Sequence, residues 1–208
     1  MTVETLVADV EDGMETELSR LGSSRALYAE TGGEVVPETV LGAAATVELA
    51  AAETFEAYAE REDGDVATAF AEIAEEERDH YEAIVAELEG HEPGETPAIH
   101  RYLRECDGTA ERVGAFVGRT VAADRSNEHL EGFFAGQGAT ELAELFAGMG
   151  ADIDGQLERA TTLLEDHCGD ERACLERAME AAEGAIEAAY GEYTDGLREL
   201  GVDPKPIC

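Results

Sequence analysis

Residues 47–88 read VELAAAETFEAYAEREDGDVATAFAEIAEEERDHYEAIVAEL, and this stretch determines how the chain folds. It predicts two helices, because large apolar residues recur every three or four positions on both sides of a polar turn, EDGD. Glu48, Glu77 and His80 fall on these apolar rows, where solvated side chains are not expected. Glu77 and His80 are also one helical turn apart. A carboxylate and an imidazole so placed can be two ligands of one metal ion.

The same periodicity predicts helices throughout the chain, and no segment has the alternating pattern of a strand. The predicted helices cover residues 3–21, 37–62, 65–89, 109–135 and 139–167, with a last helix that ends near residue 200 and short helical pieces in SSRALYAETGG and AIHRYLREC. Polar residues interrupt the buried rows of the long helices near their middles, at Glu48, Glu77, His80, Asp124, Asn127 and Gln156. Scattered surface charges would not align at one level.

A weak internal repeat explains this alignment. A shift of 76 residues places Leu41 on Val117, Glu48 on Asp124 and Phe70 on Phe146. Two helical hairpins related in this way predict an all-α, antiparallel four-helix bundle with a pseudo-twofold axis and a long crossover. We expect a single domain over residues 1–208, divided into an N-terminal extension (1–36), a first hairpin (37–90), a crossover (91–108), a second hairpin (109–168) and a C-terminal helix and tail (169–208).

The first hairpin resembles the ferritin-like superfamily, and in particular its rubrerythrin-like branch. The similarity lies in a ligand-type Glu48, the aromatic Phe55 seven residues later, the EDGD turn, and then Glu77-x-x-His80. It implies the ferritin-like bundle and a metal site in its core, to which each hairpin contributes a Glu and an E-x-x-H motif. The metal ligands implied for this chain are Glu48, Glu77, His80 and Asp124.

The second hairpin departs from the family pattern. Asp124 replaces the first Glu, Asn127 occupies a position that often carries a further Glu, and the second motif has become Ile153-x-x-Gln156. The chain also contains no rubredoxin module. The resemblance therefore implies one ion per chain, iron or else manganese or zinc, and an oxidoreductase or iron-binding protein that acts on oxygen or peroxide. The alternative is a metal-free bundle with a structural, regulatory or protein-interaction role, in which the terminal helices bind a partner or a second copy of the chain.

The composition is extremely acidic, with 49 Asp and Glu residues against 14 Lys and Arg and a formal net charge of −35. Lys205 is the only lysine. Such a surface is typical of a halophilic protein from a salt-accumulating archaeal cytoplasm, because concentrated salt screens its self-repulsion. This acidic composition argues against nucleic acid as a partner, because binding of phosphates requires clustered Lys and Arg residues. No apolar run is long enough to span a membrane, so no membrane association is expected.

The remaining histidines and the cysteines are not expected to form a site. Cys106, Cys168, Cys174 and Cys208 have no C-x-x-C spacing, so we expect free thiols, as is usual in a cytoplasm. Among the histidines outside the motif, His91 and His100 are expected to be solvated in the crossover. His129 lies beside the buried row and is not counted as a ligand, and His167 is expected at a helix end beside the last carbonyls.

We predict that the stability of the protein rises steeply with KCl concentration. Salt at about 1 M screens charges beyond roughly 3 Å and so relieves the repulsion among the 49 acidic residues. Thermal unfolding followed by circular dichroism at increasing KCl concentrations measures the effect. An unfolding midpoint that is equal in dilute buffer and in molar KCl would show that the halophilic interpretation is wrong.

Overall fold

A computed structural model describes residues 2–204 of the chain. Within these residues the chain is helical and has no strand, which confirms the predicted all-α class. The helices are α1 (Val3–Gly13), α2 (Glu15–Leu21), α3 (Ser24–Glu30), α4 (Pro37–Ala59), α5 (Gly64–Val85), α6 (Ala98–Glu105), α7 (Thr109–Gly136), α8 (Thr140–Cys168) and α9 (Arg172–Glu199).

Most helix ends lie where the sequence predicts them. Pro37 occupies the first turn of α4, where its missing N–H costs no hydrogen bond. The turn between α7 and α8 contains Gly138 with a φ of 74°, a conformation that favours glycine. The single helix expected over residues 3–21 is instead two helices, because the chain leaves the helical conformation at Met14. The helix expected to reach residue 89 ends at Val85.

Helices α4, α5, α7 and α8 form a four-helix bundle that contacts two separate apolar clusters. One, the Tyr58 cluster, contains Phe55, Tyr58 and Phe70 together with Val113, Phe116, Leu163 and many residues of the terminal helices. The other, the Phe134 cluster, contains Leu41, Ala45, Ile84, Phe134, Phe146 and Met149. Helices α4 and α8 run from the Phe134 cluster to the Tyr58 cluster, and α5 and α7 run in the opposite direction. The bundle is therefore antiparallel within each hairpin.

The connection between the hairpins is the long crossover of a ferritin-like bundle. Helix α5 ends in the Phe134 cluster and α7 begins in the Tyr58 cluster, so residues 86–108 return along the whole bundle. The internal repeat is visible in the aromatic pairs beside the two hairpin turns. The rings of Tyr58 and Phe70 lie 5.0 Å apart, and those of their repeat equivalents, Phe134 and Phe146, lie 5.3 Å apart.

The C-terminal helix α9 packs closely against α7. Gly114 and Gly118 of α7 face the backbone of Ala178 and Ala182 of α9, and a Cβ atom at either glycine would overlap those residues. The N-terminal helices also bury apolar residues in the Tyr58 cluster, among them Leu6, Val10 and Leu18. Helix α7 is consequently enclosed on nearly every side over residues 112–122.

The two crossover histidines are not solvated as expected. His100 is carried inside by α6 together with Ile99 and Leu103, and it is 0% exposed with no hydrogen-bond partner for either ring nitrogen. Burial, assisted by the charge of Arg119, lowers the pKa of His100 to about 3. His91 is half-buried, with its ring 5.8 Å from that of Tyr81. His167 lies in the last turn of α8, as predicted.

Over residues 2–204, no helix combines the length and the apolar character that crossing a membrane requires.

We predict that Gly118→Ala destabilises the protein by about 1–3 kcal/mol, because the added methyl group forces α7 and α9 apart. Gly132→Ala is the matched control on the same helix, since a Cβ there meets no atom within 4 Å. The control should leave stability unchanged or raise it by up to about 1 kcal/mol, as expected for glycine in a helix. Chemical denaturation in molar KCl compares the two variants, and equal effects would contradict the tight helix packing.

We also predict that His100→Leu stabilises the protein by about 1–2 kcal/mol at neutral pH, because it removes an unpaired buried polar group. The advantage should grow as pH falls from about 6.5 to 3. In that range the unfolded chain binds a proton at His100 and the folded protein does not, so acid destabilises the parent by about 1 kcal/mol per pH unit. His167→Leu, at an exposed position, is the control. Identical pH profiles for the parent and His100→Leu would contradict the burial of a neutral imidazole.

Candidate metal centre

A layer of polar side chains crosses the middle of the bundle between the two apolar clusters. It consists of Glu48 from α4, Glu77 and His80 from α5, Arg119 from α7 and Gln156 from α8. Glu77 and Gln156 are 0% exposed, whereas the side chains of His80 and Glu48 are 9% and 13% exposed. The layer is therefore closed at Glu77 and reaches solvent on the side of Glu48 and His80.

Three of the predicted ligands, Glu48, Glu77 and His80, meet in this layer. Each offers one ligand atom, and these atoms all lie within 4.8 Å of one another. The Nδ1 atom of His80 lies 3.7 Å from Oε2 of Glu77 and 3.9 Å from Oε2 of Glu48. Nitrogen and oxygen ligands that share a metal ion at about 2.1 Å are separated by roughly 3–4 Å. The spacing of the three side chains thus suits one ion.

The second nitrogen of His80 bonds to a residue that the sequence did not indicate. Nε2 of His80 lies 3.0 Å from Oδ2 of Asp152, whose side chain is 56% exposed. A carboxylate that accepts the Nε2–H orients the ring so that Nδ1 faces Glu48 and Glu77, where this nitrogen could bind an ion in place of its proton. Metal-binding histidines are commonly oriented in this way. Asp152 was missed because it lies beside the buried row of α8 rather than on it.

One oxygen of Glu48 has no hydrogen-bond partner. Oε2 of this carboxylate is buried and has only the longer ion-pair contacts with His80 and Arg119, at 3.9 and 3.6 Å, which is unusual for a polar atom inside a protein. Burial, together with the charge of Glu77, raises the pKa of Glu48 to about 7. For His80, burial alone would lower the pKa, but the carboxylates of Glu48 and Glu77 raise it to about 11. An unpaired acceptor and an imidazole between two carboxylates are the features that a bound cation would satisfy.

Arg119 is the most important residue of the layer that the sequence did not indicate. It is 3% exposed and forms a bidentate ion pair with Glu77, in which Nη1 lies 2.9 Å from Oε1 and Nη2 lies 2.9 Å from Oε2. Nη1 also donates to Oε1 of Gln156 at 3.1 Å, and Nη2 lies 3.6 Å from Oε2 of Glu48. Burial would raise the pKa of Glu77, but Arg119 and His80 hold it well below its usual range.

The second hairpin contributes no metal-ligand carboxylate to the layer. Asp124 is not part of the group formed by Glu48, Glu77 and His80. It lies half-buried towards α1, and burial and the charge of Glu128 raise its pKa. Asn127 donates to the backbone oxygen of Phe146 at 2.8 Å and so links α7 to α8. Ile153 is buried, as its position on the row requires.

The cysteines differ from the expectation of free thiols. Cys168 and Cys174 form a disulfide across the turn between α8 and α9, where their Cα atoms lie 5.5 Å apart. They are six positions apart in the sequence, and the short turn brings two buried side chains within the range of a disulfide. Cys106 is free and buried, and Cys208 lies outside the described residues. His129 is half-buried on α7 and is not part of the ligand group.

Comparison with known proteins identifies one family. Residues 39–109 match the family model described as Rubrerythrin, a segment that includes Glu48, Glu77 and His80. No curated protein and no solved structure matches the chain. The matched segment ends before Arg119 and Gln156, so the similarity covers the first hairpin and the crossover. The chain is thus similar to rubrerythrins over residues 39–109, and its all-α bundle with a long crossover is consistent with the ferritin-like fold.

Proposed function

We propose that the protein binds one divalent metal ion in the core of the bundle, with Glu48, Glu77 and His80 as ligands. The observation that carries this proposal is the convergence of the three ligand atoms within 4.8 Å. Two further features support it. Oε2 of Glu48 has no hydrogen-bond partner and is available to a cation. The bond between His80 and Asp152 orients the imidazole so that its other nitrogen can bind the same cation. Asp124, which the sequence added as a fourth ligand, is not included.

The donor set of two carboxylates and one imidazole suits iron, and also manganese or zinc. We favour iron because of the similarity to rubrerythrins. A bound iron ion would supply electron exchange with oxygen or peroxide. The protein would hold the ion with three side chains, leave coordination positions free, and admit a small molecule from the exposed side at Asp152. The bidentate pairing of Glu77 with Arg119 would keep one ligand fixed during this chemistry.

A metal-free role is the second candidate, and one observation favours it. Both oxygens of Glu77 already accept hydrogen bonds from Arg119 and Gln156, so the layer is held together without an ion. Such a bundle would serve assembly or regulation through its terminal helices. Among residues 2–204, however, Val36 is the only large apolar side chain that is exposed. The apolar faces of α1, α2 and α9 pack inside the protein, which does not favour a partner surface on them.

We propose that the protein works in the salt-rich cytoplasm of a halophilic archaeon, because its net charge is −35. The disulfide between Cys168 and Cys174 is the described feature that argues against this compartment, because thiols are usually kept reduced there.

We predict about one metal ion per chain after reconstitution with ferrous iron without oxygen in molar KCl, measured by elemental analysis after desalting. His80→Ala should abolish binding, because it removes the only nitrogen ligand of the group. Asp124→Asn, His129→Ala and His167→Ala should each retain the ion, since these side chains lie outside the group.

Circular dichroism of each variant verifies that it is folded. Two ions in the parent would show that the second hairpin has been misassigned. An absence of metal in the parent, together with equal stability of the parent and His80→Ala, would favour the metal-free candidate.

A further inference from the structure

The internal repeat defines a second cation position in the polar layer. The shift of 76 residues that relates Phe70 to Phe146 also relates Glu77 to Ile153 and His80 to Gln156. The symmetry mate of the proposed metal position therefore lies beside Gln156 and on the other side of the central Glu77. Neither Ile153 nor Gln156 offers a charged ligand there.

Arg119 contacts the side chains that border this second position. Its guanidinium bonds to both oxygens of Glu77 and donates to Oε1 of Gln156, which is the repeat equivalent of the proposed ligand His80. Gln156 in turn donates from Nε2 to Oε1 of Glu77 at 2.8 Å. The guanidinium thus makes the contacts that a cation at the second position would make.

We propose that Arg119 is a built-in cation that fills the second position and limits the centre to one metal ion. This inference rests on the proposed function, since it concerns the metal number and affinity of the same site. Arginine remains protonated in proteins, so its charge is permanent. A second divalent cation would meet this charge in a buried layer, where screening by solvent is weak.

Arg119 also competes with the metal ion at the first position. Oε2 of Glu77, the atom that lies 3.7 Å from His80 Nδ1, accepts a hydrogen bond from Nη2 of Arg119 at 2.9 Å. The guanidinium thereby draws negative charge away from the ion and keeps Glu77 in place when no ion is bound. Arg119 lowers the affinity for metal and preserves the fold without it.

The first test compares Arg119→Gln with two reference variants. Arg119→Lys keeps a positive charge but loses the bidentate contact with Glu77. Arg112→Gln removes another buried arginine of α7, one that pairs with Glu62 and lies outside the polar layer. Binding of Mn²⁺ alone is measured by isothermal titration calorimetry in molar KCl, and the unfolding midpoint is measured with and without Mn²⁺.

We expect Arg119→Gln to lower the midpoint of the metal-free protein and to raise the affinity for Mn²⁺ by about tenfold or more, because a unit positive charge beside the ion is removed. Arg112→Gln should also lower the midpoint but leave the affinity unchanged, and Arg119→Lys should bind Mn²⁺ about as the parent does. If Arg119→Gln is less stable and binds Mn²⁺ no more tightly than the parent, Arg119 is only a structural ion pair and the inference fails.

The second test rebuilds the missing ligands. Ile153→Glu combined with Gln156→His should still bind one Mn²⁺ ion while Arg119 is present, and two when Arg119→Gln is added. One ion in both proteins, or two in both, would overturn the inference. Failure of the proposed function gives a separate result, in which the parent and Arg119→Gln both bind no Mn²⁺.

Discussion

The structure depends on one buried interaction, the pairing of the Glu77 carboxylate with the guanidinium of Arg119. Glu77 is 0% exposed, and an isolated charge at that place would be very unfavourable. Arg119 offsets the charge with one hydrogen bond to Oε2 and an ion-pair contact of 2.9 Å to Oε1, and Gln156 donates a further hydrogen bond to Oε1. Removal of one partner of such a pair costs about 3–5 kcal/mol, because the other charge remains buried. The pair therefore fixes α5, α7 and α8 relative to one another at the middle of the bundle.

The apolar clusters on either side make this polar layer specific. The Tyr58 cluster and the Phe134 cluster each join both hairpins, and the polar layer separates them. If one helix slid by a turn, Glu77 or Arg119 would enter an apolar cluster without its partner. The register of the four helices is thus determined by the position of the charges, while the apolar clusters supply most of the favourable free energy. The same register brings Glu48 and His80 together.

The helices and the first three ligands could be predicted from the sequence, because apolar periodicity and the Glu77-x-x-His80 spacing are local properties. Arg119 could not be predicted by the same rule. Apolar periodicity assumes that a helix has one inward face, yet α7 contacts α8, α9 and the crossover helix α6. Arginine is rarely buried, so nothing in the sequence distinguishes Arg119 from the solvated arginines of the chain. His100 and the disulfide depend on how the crossover and the α8–α9 turn fold back, which local patterns do not reveal.

The polar layer contains more carboxylates than cationic side chains, and one of these carboxylates, Asp152, lies at the surface. In the metal-free state the positive charges of Arg119 and protonated His80 face Glu77, Asp152 and Glu48, and burial, together with the charge of Glu77, raises the pKa of Glu48. A divalent ion would take the place of the proton on His80 and supply the remaining charge for Glu48. Salt screens the surface charges but reaches the nearly inaccessible Glu77 and Arg119 very little. The protein therefore has two electrostatic systems, an acidic surface that salt can screen and a buried core in which the charge of Glu77 is offset by Arg119.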